Sequence, residues 1–145
     1  MASDLSVSFR IPYRRYPAPD GYYHAASIPV GISLPDKGSR RSKRFDAIID
    51  SGAAGCLFHA AIGRTLGLNI ESGRLEYTQG VAGQSKVYLF DVALHVVGST
   101  ILTRAGFSDE LPIAELLGMR GFFESFKITF DPAALEVELE RFYQA

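Results

Sequence analysis

Apolar and polar positions alternate along most of this chain, with the two-residue period of half-buried strands. Val7, Phe9 and Ile11 alternate with Ser8 and Arg10 until Pro12 ends the run. Ala26, Ile28, Val30, Ile32 and Leu34 make a second such face. Pro29 places this strand near an edge or a bulge, because proline has no N–H to give to a ladder. Phe45 to Ile49 is short and almost wholly apolar, the pattern of a strand covered on both faces. Leu75 to Gln79 and Gln84 to Val97 form a hairpin around the small-residue tip Gly80-Val81-Ala82-Gly83. Its return strand carries Tyr88, Phe90, Val92, Leu94 and Val96 on one face, and Ile101 to Phe107 follows as a further strand. Ile128 to Phe130 and Leu135 to Phe142 make a last hairpin across Asp131-Pro132, with Leu135, Val137 and Leu139 on its dry side.

Helical spacing is scarce. Phe58, Ile62 and Leu66 recur every four residues and predict a short amphipathic helix ending near Gly67. A second candidate follows Leu116-Leu117-Gly118 and contains Phe122, Phe123 and Phe126. Together these elements predict a mainly β fold, a closed or barrel-like sheet with one or two short helices. Residues 1–25, rich in Tyr, Pro and Arg, are expected to be an N-terminal extension or a first strand, and residues 26–145 the principal domain.

The 145 residues, 47% hydrophobic and 21% charged, suffice for one core without metal or disulfide staples. Lone Cys56 has no partner for an intrachain disulfide, which favours a reducing interior. Met1-Ala2-Ser3-Asp4-Leu5-Ser6 lacks the features of a secretory signal, and no run is long enough to span a membrane, so the expected address is cytoplasmic. A formal charge of −1 gives no general attraction to nucleic acid or an anionic membrane. Lys37, Arg40, Arg41, Lys43 and Arg44 crowd the segment between Leu34 and Phe45. A long solvated hairpin loop accounts for them better than an anion or nucleic-acid patch does. His24, His59 and His95 are far apart and lack the spacing of metal ligands, and no metal or organic cofactor is expected.

One turn stands out for chemistry. In Ala47-Ile48-Ile49-Asp50-Ser51-Gly52-Ala53 an apolar run delivers an aspartate into small residues, and the chain holds a single such turn. A carboxylate at the end of a buried strand needs hydrogen bonds or a proton to relieve it. Ser51 offers a hydroxyl, and Gly52 lets main-chain N–H groups approach. An ordinary turn aspartate capping the next segment is the plainer reading of Asp-Ser-Gly alone. Ser51 as a nucleophile lacks the Gly-x-Ser-x-Gly elbow.

Ile48-Ile49-Asp50-Ser51-Gly52-Ala53 resembles the active-site turn of retropepsin-like aspartic proteases, in which an apolar strand leads into Asp-Thr/Ser-Gly-Ala. Gly80-Val81-Ala82-Gly83 lies where that family has its flap, and Leu116-Leu117-Gly118 resembles the segment before its C-terminal helix. The resemblance covers roughly Ser27 to Phe142 and implies a retropepsin-like closed barrel with a flap hairpin. It further implies a homodimer in which two copies of Asp50 share a proton and activate a water that attacks a peptide carbonyl. On the same basis Ser51, Gly52 and Ala53 shape the turn, and Gly80, Val81, Ala82 and Gly83 close over an extended peptide substrate. Leu117, Gly118 and Arg120 would support the turn from beneath; retroviral members have Arg directly after the glycine, where this chain has Met119 and then Arg120. The alternative is a non-catalytic dimerisation or peptide-binding module on the same fold.

Overall fold

The computed structural model of the chain describes residues 7–36, 38–80, 83–111 and 115–142. The N-terminal part contains β1 (Ser8–Pro12), β2 (Arg14–Ala18), β3 (Gly21–Ala25), β4 (Ser27–Ser33) and β5 (Phe45–Ile49). The middle contains β6 (Leu57–His59), α1 (Ala60–Thr65), β7 (Arg74–Gly80), β8 (Gly83–Val96) and β9 (Ser99–Ser108). Short β10 (Glu115–Leu117) and the hairpin of β11 (Phe126–Asp131) and β12 (Glu136–Arg141) complete it.

The main sheet runs β4-β5-β10-β6-β9-β8-β7, and β4 also pairs with β8. That second pairing closes the sheet into a barrel and leaves β7 outside the ring. Closure is possible because β8 is long: Gly83 to Leu89 pair with β7, whereas Ala93 to Val96 pair with β4. The mainly β, barrel-like fold expected from the alternation is therefore present.

Pro29 sits where the ladder can do without its N–H. Ala26 accepts a bond from the Ile49 N–H, so Ala26, Ile28 and Val30 face β5 and the Pro29 nitrogen faces away. On that other side β8 joins only from Val30 onward. The strand is an edge on that side through Pro29 and an interior strand from Val30 onward.

Two helical expectations are corrected. Phe58 belongs to β6, where it pairs in parallel with Phe107, and the helix starts only at Ala60. A buried ladder position outweighs the four-residue spacing that Phe58 shares with Ile62 and Leu66. The segment Met119–Phe123 coils without forming a regular helix, since Arg120 (φ −71°, ψ 127°) and Gly121 (φ 89°, ψ −66°) leave the helical region. A Cβ on Gly121 would lie 2.6 Å from the Thr103 hydroxyl, so glycine answers both the backbone twist and the contact. Phe126 opens β11 rather than ending a helix. Leu135 lies in the turn before β12 and is 38% exposed, not on the dry face.

Three strands, β1, β2 and β3, lie between Ser8 and Ala25. β1 pairs with β12, and the sheet β1-β12-β11 covers one side of the core with Phe9, Ile11, Val137 and Leu139. β2 and β3 form a separate hairpin, tied to the barrel where the Tyr16 hydroxyl donates to Ser27 Oγ at 2.7 Å or accepts from it. No helix among the described residues is long and apolar enough to cross a membrane.

The barrel interior is aromatic at the end nearest α1. Phe58 meets Phe45 edge-on at 5.5 Å, and Phe107 lies 5.9 Å from Phe58 and 6.0 Å from Phe90. Phe58 and Phe107 are completely buried. Truncation of such a ring removes its transfer energy and leaves a cavity that the rigid ladder cannot collapse. Phe107→Ala should lower the unfolding free energy by about 3–5 kcal/mol, measured by urea denaturation with unchanged native circular dichroism.

Candidate active site

Asp50 follows directly on β5, and three main-chain relations hold it. Its N–H donates to the Leu117 carbonyl at 2.9 Å. Leu117 belongs to β10, which runs parallel to β5 with Leu117 opposite Ile49. The Asp50 carbonyl accepts from the Ala53 N–H at 3.2 Å and closes the turn. Within the turn, the Gly52 N–H donates to Asp50 Oδ1 at 2.8 Å, which fixes the carboxylate rotamer and places partial positive charge on one oxygen.

The environment of the carboxylate is amphipathic. Beneath the turn, Ile49 is 6% exposed and Leu117 is completely buried. Above it, Ser51 and Gly52 are exposed, and Asp50 and Ala53 are half-buried. The carboxylate thus stands at the boundary of core and solvent, held by the chain and open on one side.

Gly118 determines how closely β10 approaches. A Cβ there would lie 2.3 Å from the Gly55 carbonyl oxygen and 2.6 Å from that of Ala53. Both neighbours are main chain, so neither can swing aside. Beyond Gly118, the Met119 N–H donates to the Ala53 carbonyl at 2.9 Å and the Arg120 N–H to the Ala54 carbonyl at 3.0 Å. The Asp50 turn and the Gly118 turn are therefore laced together by backbone.

Arg120 contributes to this support through its main chain. Its side chain is exposed, and no carboxylate among the described residues pairs with it. Met119, in the position of the retroviral arginine, is 48% exposed. Sequence reasoning passed over Ala54, Gly55 and Cys56 as parts of this support, and the run of small residues after the turn was the signal for it. The Cys56 thiol points at the Arg120 carbonyl at 3.6 Å. Burial pushes that thiol above its usual range, so it remains protonated and packs as a neutral group.

The hairpin at Gly80 and Gly83 is present: β7 pairs with β8 from Arg74–Leu89 out to Gly80–Gly83, and Gly83 has φ +110°. Val81 and Ala82 lie outside the described residues. Tyr77 and Leu75 on β7 are 56% and 44% exposed, so the hairpin offers apolar side chains to solvent. The histidines do not converge. His24 meets Tyr22 edge-on, His59 lies 3.6 Å from Glu115, and His95 sits between the Ser33 and Thr100 hydroxyls at 2.8 and 3.2 Å. No group of three or more metal-ligating side chains occurs among the described residues.

No protein-family model and no curated protein matches the sequence. Solved structures do. The chain is similar to a retropepsin-like aspartic protease from Rickettsia conorii, with a TM-score of 0.64 and 15% identity over 92% of this chain and 98% of that one. It is also similar to EIAV protease in complex with the inhibitor HBY-793, with a TM-score of 0.49 and 22% identity over 65% of this chain and 81% of that one.

The backbone lacing under Asp50 has a direct consequence for Gly118. Gly118→Ala should push β10 off the turn and destabilise the protein by about 1–3 kcal/mol in thermal or chemical melts, the usual range for overpacking against atoms that cannot move. The parallel β5–β10 pair beneath the Asp-Ser-Gly turn, the closed barrel and the Rickettsia conorii similarity together establish a retropepsin-like fold for this chain.

Proposed function

We propose that this chain is a homodimeric aspartic endopeptidase, with one Asp50 from each protomer forming the catalytic pair. The observation that carries the proposal is the placement of Asp50: a carboxylate on the β5–β10 backbone lacing of a retropepsin-like fold, facing solvent through Ser51 and Gly52. A single chain has one such turn and hence half of the machinery.

In the dimer the two turns meet on a twofold axis. Two carboxylates in contact do not both ionise readily, so one proton is shared between them. The ionised member removes a proton from water as that water attacks the scissile carbonyl, while the protonated member donates a hydrogen bond to the carbonyl oxygen. The proton then passes to the leaving amine, and the pair behaves as one titrating unit. Ser51 bridges the two turns through its hydroxyl, and the Gly52 N–H keeps each carboxylate in its rotamer. The β7–β8 hairpin with Gly80, Val81, Ala82 and Gly83 acts as the flap and pairs by backbone with an extended peptide. No metal or organic cofactor has a role in this scheme. The compartment proposed is the cytoplasm, where the unpaired, neutral thiol of Cys56 persists.

Two measurements test the proposal. Asp50→Asn should keep the melting profile and reduce cleavage of a peptide library by about 10³-fold or more, the scale of losing a general acid–base group. Retention of full activity would remove Asp50 from the mechanism, and inhibitor-insensitive binding without cleavage in the parent protein would identify a non-catalytic peptide-binding module. Because each protomer holds half the pair, specific activity should fall in proportion to concentration once the protein is diluted below its dimer dissociation constant. Dilution followed by analytical ultracentrifugation and peptide assay measures both, and a fully active monomer would contradict the dimer.

A further inference from the structure

The β4–β5 loop is solvated as its charge predicts, but it is not free. The Ile32 N–H donates to Ser42 Oγ at 3.0 Å, and the Ser42 N–H donates back to the Ile32 carbonyl at 2.7 Å. Arg40 donates through Nη2 to the Thr65 carbonyl at the end of α1. These bonds bring the loop against the helix beside a half-open cavity of about 500 Å³. Its rim carries the cations Arg40, Arg41, Lys43 and Arg44, and its floor is Phe45, Ile62 and Leu66.

The composition of that lining is one-sided. No Asp or Glu borders the cavity, and none of the four cations has a carboxylate in salt-bridge range among the described residues. A chain of net charge −1 has thus gathered four uncompensated positive groups around one apolar depression. The field extends past the loop, since Arg41 and Arg44 also line a smaller cavity of about 230 Å³ beside His95. The imidazole of His95 is held below its usual range, first by burial and then by Arg41. Like charges held together in this way bind a multivalent anion well, because the anion relieves their mutual repulsion. Three of the four are arginines, whose planar forks match phosphate oxygens. The floor adds an apolar requirement that inorganic phosphate does not meet, and the volume lies in the range of small-ligand sites.

We propose that this cavity binds an amphiphilic phosphate monoester: the dianionic head lies among Arg40, Arg41, Lys43 and Arg44, and the apolar body lies against Phe45, Ile62 and Leu66. The site is separate from the proposed catalytic pair. Phe45 opens β5 and Asp50 follows its other end, roughly 16 Å away along an extended strand.

Decyl phosphate below its micellar concentration is the probe, compared by calorimetry with inorganic phosphate, with decanol and with phosphatidylserine-containing vesicles. Decyl phosphate should bind about tenfold or more tightly than either fragment, and binding should weaken as NaCl rises from about 50 to about 500 mM. In the unmodified protein, amide NMR shifts should concentrate at Arg40 to Phe45 and Ala61 to Leu66. R41Q/R44Q, at two exposed positions, should keep the melting temperature and lose about tenfold in affinity. Equal binding of inorganic phosphate, binding to vesicles alone, shifts located elsewhere, or unchanged affinity in R41Q/R44Q would each overturn the proposal. The salt and NMR measurements decide it even where the double variant fails to fold.

Discussion

The hydrogen bond from the Asp50 N–H to the Leu117 carbonyl joins two segments that are far apart in the chain, and the rest of the architecture is arranged around that junction. It continues the parallel pairing of β5 with β10, a strand of three residues that must reach the middle of the barrel. So short a strand cannot hold its place through its own ladder. It is held because Leu116 also pairs with Leu57 of β6, and because Gly118 lets the chain pass within contact distance of the Ala53 and Gly55 carbonyls. Were β10 to move outward, the ring would open between β5 and β6, and the carboxylate would lose its footing at the same time. Stability and site geometry therefore depend on the same few main-chain atoms.

The junction is held by main-chain bonds. An ion pair beneath an active-site turn fixes a loop by one side chain at the cost of desolvating two charges. Here the N–H groups of Met119 and Arg120 bond directly to the Ala53 and Ala54 carbonyls, and the neutral thiol of Cys56 fills the space under Arg120. Backbone bonds made by adjacent residues do not depend on which side chains those residues carry. The side chain of Met119 is exposed.

β5 links two chemically different regions. At one end the basic β4–β5 loop is pinned to α1, and at the other the strand delivers Asp50 to solvent. The interior between them is filled by Phe45, Phe58 and Phe107. Packed aromatic cores resist gradual deformation. Such a strand keeps its ends at a set separation, which lets the chain carry a positive cavity without drawing the Asp50 carboxylate toward it.

Much of this was legible in the sequence, for a local reason. Alternation predicted the strands from Val7 to Ile11 and Ala26 to Leu34, because the pleat has a two-residue period whatever the strand pairs with, and an almost wholly apolar run predicted Phe45 to Ile49. The Asp50 turn could be seen because few contexts place a carboxylate between the apolar run Ala47-Ile48-Ile49 and the small residues Ser51-Gly52-Ala53. What the sequence left undecided was set by contacts between distant segments. Phe58 has helical spacing yet lies in a strand, because Phe107 offers it a ladder partner. Phe122, Phe123 and Phe126 suggested a helix, but Arg120 and Gly121 leave helical geometry where the chain packs closely against Thr103 of another strand. Likewise, five cations between Leu34 and Phe45 read as a solvated loop, and only the Arg40 contact with the end of α1 turns that loop into the wall of a cavity. The sequence by itself determined the pleat, the faces and the singular Asp-Ser-Gly turn, since these follow from neighbouring residues. The tertiary structure decided which strands close the barrel, how Asp50 is held and where the charge converges, since those depend on partners the chain meets only after folding.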